Sequence, residues 1–350
     1  MLSFSRIVKI SARVAAWATP KIQKWNRQRN MNRSEARRHL DAGNWVQAER
    51  HFQCALDEPR RSIADRLELL LGLAQAQRAQ GKLDETGQTV CQAIELAVEQ
   101  RNEAMHSLAL EALADLQLDR GEYQEAEATA REVIRMETAR AKPDSARLAS
   151  CWRKAAVALE KSNHPAEAIE ALKQSASHAE KAFGAEHSET AAHLHELGML
   201  QRRHGHHGAA QNSLRRALQI HRTAGGVDSH EATQALYNLA ASLEEAGNLH
   251  EAATEYERLL ALRDRQVGSK REETAEAQVR LAALHLRTNR ISSARELLLH
   301  AMPTLERKGG PLYAQALETL ACAEDRSGRG EAARQYREKA LVAAALHLAG

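Results

Sequence analysis

Large rings are scarce in this chain of 350 residues, where phenylalanine, tryptophan and tyrosine together make up 3%. An interior so short of aromatics must be filled by leucine and alanine between closely set elements. The dominant residues are alanine, leucine, glutamate, glutamine and arginine, which favour helices and are poor strand formers. Cysteine is sparse too: Cys54, Cys91, Cys151 and Cys322 lie far apart and form no C-x-x-C pair. That spacing argues against a zinc site or a disulfide framework and fits a reducing interior. Long apolar runs are missing, and none approaches the roughly 20 residues that a bilayer-spanning helix needs. A secretory signal fits badly as well, because Arg6, Lys9 and Arg13 interrupt any apolar core at the N-terminus.

Motifs that carry chemistry are equally thin. Gly81-Lys82 is followed by Leu83, so no phosphate-binding loop is present, and no G-x-S-x-G occurs. His195-Glu196 and His250-Glu251 do not continue into H-E-x-x-H. Six histidines crowd one region, at 187, 193, 195, 204, 206 and 207. A metal needs imidazoles converging on one point. His193 and His195, two apart on a helix, point different ways, and the last three sit at an exposed turn. Polar turn filling is the favoured reading, with no metal site, no cofactor and no acid–base constellation for an enzyme.

Net charge is +3, but it is unevenly spread. Residues 1–38 hold ten Lys/Arg against the single acid Glu35, a balance of +9 that leaves −6 for the rest. A net-acidic body with few aromatics does not suit nucleic acid, which wants a basic stripe and stacking rings. The head reads as a short amphipathic helix over residues 2–18. Phe4, Ile7, Val8, Val14, Ala15 and Ala18 lie on one side of it, and Arg6, Lys9 and Arg13 on the other. Such a segment suits reversible contact with an anionic membrane surface, organelle import, or simple packing on the first hairpin. The expected location is cytoplasmic, with peripheral membrane contact as an option.

What the chain does have is a period. A glycine or asparagine recurs at Gly43, Gly81, Gly121, Asn163, Gly205, Gly247, Asn289 and Gly328, with steps of 42 residues from Gly121 to Asn289. Seven places before each stands a small residue: Ala36, Ala74, Ala114, Ala156, Gly198, Ala240, Ala282 and Ala321. Five places after each stands alanine, at 48, 126, 168, 210, 252, 294 and 333, with Thr86 the exception. Fixed small positions at a fixed period mark stacked helical hairpins. A small side chain lets two helix axes approach closely, and the turn residue supplies the left-handed conformation that ends a helix. In the clearest unit, 191–204 reads as the first helix and 208–223 as the second. Leu194, Leu197, Gly198 and Gln201 share one face, three of the four suited to burial. A second ladder at Gly184, Gly226, Gly268 and Gly310 marks the links between hairpins.

These residues resemble the tetratricopeptide repeat. Trp152, Leu197-Gly198, Gly205, Ala210 and Ala217 match its pattern, as do Leu239, Gly247, Ala252 and Tyr256. The long period, with Tyr237-Asn238-Leu239-Ala240 and Gly247-Asn248-Leu249-His250-Glu251-Ala252, resembles the kinesin light chain subclass. The resemblance implies an all-α solenoid of about eight hairpins wound as a right-handed superhelix. It covers residues 32–348, in repeats near 32–62, 67–101, 107–142, 149–184, 191–226, 233–268, 275–309 and 314–348, after a basic segment 1–31.

It also implies a non-catalytic scaffold or adaptor that holds an extended protein segment in the groove lined by first helices. By position, the groove residues are Arg153, Val157, His195, Met199, Arg202, Gln234, Tyr237, Asn238, Ala241, Val279 and Arg287. Asn238 matches the asparagine that holds a bound peptide's backbone in light-chain-like repeats; its counterparts Lys154, Glu196 and Arg280 do not repeat it. A membrane-tethered assembly factor and a regulatory subunit of an enzyme are the alternatives. The apolar stretch Leu341–Leu346 must either fold onto its own hairpin or meet another chain, because a terminal repeat needs a polar outer face.

Overall fold

The computed structural model describes residues 32–58, 62–226, 229–266 and 272–349. The basic head at 1–31 and Gly268 lie outside these residues. Among the described residues there are sixteen helices and no strand. They pair as eight hairpins: α1 (32–41) with α2 (Trp45–Leu56), α3 (Ile63–Ala79) with α4 (Leu83–Glu99), α5 (Glu103–Arg120) with α6 (Tyr123–Thr138), and α7 (Ser145–Lys161) with α8 (Pro165–Phe183). The other four pairs are α9 (Ser188–Arg203) with α10 (His207–Ala224), α11 (His230–Glu245) with α12 (Leu249–Gln266), α13 (Glu272–Arg287) with α14 (Ile291–Lys308), and α15 (Pro311–Arg326) with α16 (Gly330–Ala349). This is the α-solenoid class. No described helix is long and apolar enough to cross a membrane.

Each hairpin turn is made the same way. All eight turn residues are left-handed, with φ from 62° at Asn289 to 83° at Gly247. The turn amide donates three residues back, and the next amide reaches five back, as in Gly205 to Arg202 O (3.0 Å) and His206 to Gln201 O (2.8 Å). These two bonds satisfy carbonyls that a helix end leaves unpaired. At the other end, side chains cap the first helices: Ser62 for α3, Asn102 for α5, Asp144 for α7, His187 for α9 and Ser229 for α11. His187 Nδ1 accepts from the Glu189 amide at 3.1 Å, so α9 begins at Ser188, three residues before the expected start.

All the periodic small residues are buried. Gly198 shows why size matters there. A Cβ added to it would stand 2.6 Å from Leu214 Cγ and 3.3 Å from the Ala210 carbonyl oxygen. Thr86, the exception to the alanine ladder, is buried because its hydroxyl donates to Lys82 O at 2.8 Å. Gln201 is buried along with its three apolar companions, because Ser213 Oγ donates to its Oε1 at 3.0 Å. Gln77 and Thr89 repeat that pair at 2.8 Å.

The described residues divide into two compact units, and the chain passes from one to the other within α8, between Ala171 and Leu172. In the first, Phe52 packs with Ala36, Ala48, Leu69 and Leu73. Beside this core runs a charged row. Glu111, Asp115 and Asp119 share one face of α5; Lys154 Nζ of α7 reaches Glu111 and Asp115, both at 3.0 Å, and Arg78 of α3 reaches Asp115 and Asp119 at 3.0 and 3.1 Å. In the second unit the fully buried Tyr256 is the hub, packed among Leu214, Leu236, Leu239, Leu243 and Leu281.

Candidate functional site

In the second unit, residues at equal distances from their turns recur on the first helices α9, α11 and α13, and polar side chains bridge from one helix to the next. Asn238 Nδ2 of α11 lies 2.8 Å from His195 Nε2 of α9 and donates to Gln234 O at 3.2 Å. Arg202 of α9 donates to Glu245 of α11 at 2.6 Å. Tyr237 of α11 donates its hydroxyl to Glu276 of α13, and Arg280 of α13 reaches back to Glu244 of α11 at 3.5 Å. Tyr237 also stands edge-on to Tyr256, with ring centroids 6.0 Å apart, and lies under the guanidiniums of Arg263 and Arg280 at 5.9 and 5.7 Å.

Charge states follow from this packing. The Gln234 carbonyl fixes which end of the Asn238 amide is nitrogen, so His195 Nε2 must accept and the ring must be neutral. Burial pushes the His195 pKa down to about 4, and the neighbouring His221 adds to the shift. Burial also lowers His221, against an opposing pull from Glu231. Tyr237 is pushed up to about 12, first by burial and then by its bond to Glu276.

The structure brings His195, Gln234 and Asn238 into contact and sets Tyr237 beside them on α11. Asn238 is buried, and both its donors are used inside the protein. A peptide backbone would meet its carbonyl oxygen or would have to displace His195. Met199 and Arg202 are half-buried, while Gln234 and Arg287 are exposed. Arg153, also exposed, belongs to the first unit. Val157 is exposed as well. Besides Asn238, two more expected groove residues are buried. Ala241 is too short to emerge between its neighbours, and Val279 packs with Ala275, Ala282, Ala316 and Leu320 beneath α15. His193 pairs with Ser175 at 2.7 Å and so has a different partner from His195.

Position counting missed the ion-pair chemistry of Glu244, Glu276 and Arg280. Part of its signal was available: Arg280 stands nine residues before its turn, the place that Lys154 holds before Asn163.

Two sequence comparisons bear on this arrangement. One sequence model of the family described as Tetratricopeptide repeat matches residues 144–223 and 231–307, and a second matches 195–266. The chain contains tetratricopeptide repeats. Among solved structures, a putative kinesin light chain of Podosopora anserina with nearly identical TPR-like repeats is 20% identical. The match covers 57% of this chain and 94% of that one, with a TM-score of 0.50. The apo form of the quorum sensor NprR from B. thuringiensis is 14% identical, covering 97% and 96%, with a TM-score of 0.56. A signal transduction ATPase from Pyrococcus horikoshii with a tetratricopeptide repeat sensor is 14% identical with a TM-score of 0.69, over 93% of this chain and 48% of that one. At such identities the likeness is one of fold. No curated protein matches the sequence. The tetratricopeptide hairpins thus account for the turn and alanine ladders, and the match begins at Asp144, the residue that caps α7.

Proposed function

We propose that the chain is a non-catalytic scaffold that holds an extended segment of a partner protein against α9, α11 and α13. The repeat fold is that of a protein-interaction scaffold. The observation that supports this particular face is the alignment of His195, Met199, Gln234 and Tyr237 on neighbouring first helices. Preorganisation is the mechanism. Interhelix bonds such as Asn238–His195 and Arg202–Glu245 hold the wall before a partner arrives, so the partner alone bears most of the ordering entropy.

A photo-crosslinking residue placed at Met199 or Gln234 tests this, with a third at the exposed Arg258 on α12 as comparison. Crosslinks from 199 and 234 that map to one contiguous segment of one partner are expected. Crosslinks from 258 alone would move the site to the second helices.

A further inference from the structure

Second helices of successive hairpins set charges against each other at fixed distances from their turns. Glu180 of α8, seventeen residues past Asn163, accepts from Arg216 of α10, eleven past Gly205, at 2.8 Å. In the sequence the same two places hold Asp264 and His300 for α12 and α14, and Glu306 and Lys339 for α14 and α16. For α10 and α12 they hold Arg222 and Arg258. Two cations thus stand where these three interfaces set an acid against a base.

The packing differs there as well. Nearer the turns α10 and α12 are tied by Arg215 and Glu251 at 2.5 Å, but at Arg222 and Arg258 a notch of about 230 Å³ opens between them. Leu218, Leu236, Ala261 and Leu262 give it an apolar lining. Leu262 is half-buried, whereas Ile220, which holds its place one repeat earlier, is 1% exposed. Ala261 stands where α10 carries the longer Gln219. Glu255, also in the lining, accepts from Arg258 at 2.7 Å within its own helix. It answers one guanidinium and leaves the exposed Arg222 with no bonded acid among the described residues, so the lining carries one net positive charge.

We propose that this notch binds a small organic carboxylate with an apolar body of about six carbons. Its volume suits about eight heavy atoms, at the roughly 30 Å³ that a water molecule takes up in the liquid. The leucines would cover the alkyl chain. The carboxylate would lie between Arg222 and Arg258, supplying the anion that the repeat provides elsewhere, in the paired geometry that a guanidinium offers. A small molecule fits better than a protein segment, because none of the exposed large apolar residues described lies on α10 or α12. The surface about the notch is instead taken up by the Arg215–Glu251 and Arg216–Glu180 pairs. A failure here leaves crosslinks at Met199 and Gln234 unchanged, and the converse holds.

Hexanoate is the probe, titrated against the full chain by saturation-transfer NMR, with hexanamide, hexylamine and acetate as comparisons. Saturation by about 10 mM is expected for a ligand of about eight heavy atoms. The comparisons lack the charge, reverse it or lack the chain, and each should bind at least about fivefold more weakly. Arg222→Glu should weaken hexanoate at least about tenfold. Because that change restores the Glu180–Arg216 arrangement opposite Arg258, the thermal midpoint should hold or rise. Ala261→Gln, which gives α12 the longer side chain that α10 carries at Gln219, should weaken binding without a change in charge. Arg307→Glu, the same charge reversal on α14, should bind as the parent does. No saturation by about 10 mM would overturn the proposal. Equal binding of hexanamide or hexylamine would do the same, as would parent-like binding by Arg222→Glu.

Discussion

Asn238 donates its side-chain amide to His195 Nε2, 2.8 Å away on the preceding first helix, and so joins two hairpins through a ring that must stay neutral. Protonation would set an N–H against the amide N–H and break the joint.

Stability should therefore fall in acid. Histidine in an unfolded chain titrates near pH 6.5, whereas His195 in the fold titrates near 4. Between these values the unfolded state binds more protons, so the contribution is complete above 6.5 and declines as pH drops toward 4. The shift corresponds to about 3 kcal/mol. His195→Gln keeps an acceptor without a titration. Urea midpoints at pH 7 and 4.5 should drop less in this variant than in the parent, and equal drops would refute the assignment.

Gly198 should resist even alanine. Overpacking costs about 1–3 kcal/mol, against which alanine returns roughly 1 kcal/mol of helix propensity. A modest net loss is expected for Gly198→Ala. In a Leu214→Ala background, where the obstructing Cγ is gone, the same change should stabilise, because residues in contact do not add. Thermal melting of the four proteins in this cycle gives the coupling.

The two asparagine turns should respond differently to glycine. Asn163 and Asn289 have φ of 64° and 62°, which glycine adopts freely. Asn163→Gly should be neutral or slightly stabilising, whereas Asn163→Ala should lose about 1 kcal/mol through its left-handed backbone. Asn289 Oδ1 also accepts from Arg326 at 2.9 Å, so Asn289→Gly should lose about 1 kcal/mol. Chemical denaturation separates the two.

Thiol titration should find one cysteine silent. Cys151 is buried, and burial first, with Glu111 second, pushes its thiol up to about 12. Cys54, Cys91 and Cys322 are exposed. At pH 8 the native chain should release colour from three thiols and reach the fourth only on unfolding. Rapid reaction of all four would contradict the packing around α7.

Turns and small positions were readable in advance because they are local. A left-handed residue at Gly205 or Asn163 is demanded by the backbone itself, and alanine at 210 or 252 by the nearness of one partner helix inside the same hairpin. The candidate site was readable only in outline. His195, Gln234, Tyr237 and Asn238 share a face by counting, but counting could not say that Asn238 spends its donors on His195 and Gln234.

The amino-acid order by itself determined that helices would form, where each would turn back, and which residues would nest between them, since those depend on neighbours within some 40 positions along the chain. Tertiary structure alone decided which groove positions stay open. Val279 disappeared beneath α15 while Val157 stayed exposed, because exposure is set by what neighbouring helices lay on top and not by a residue's own place in the repeat.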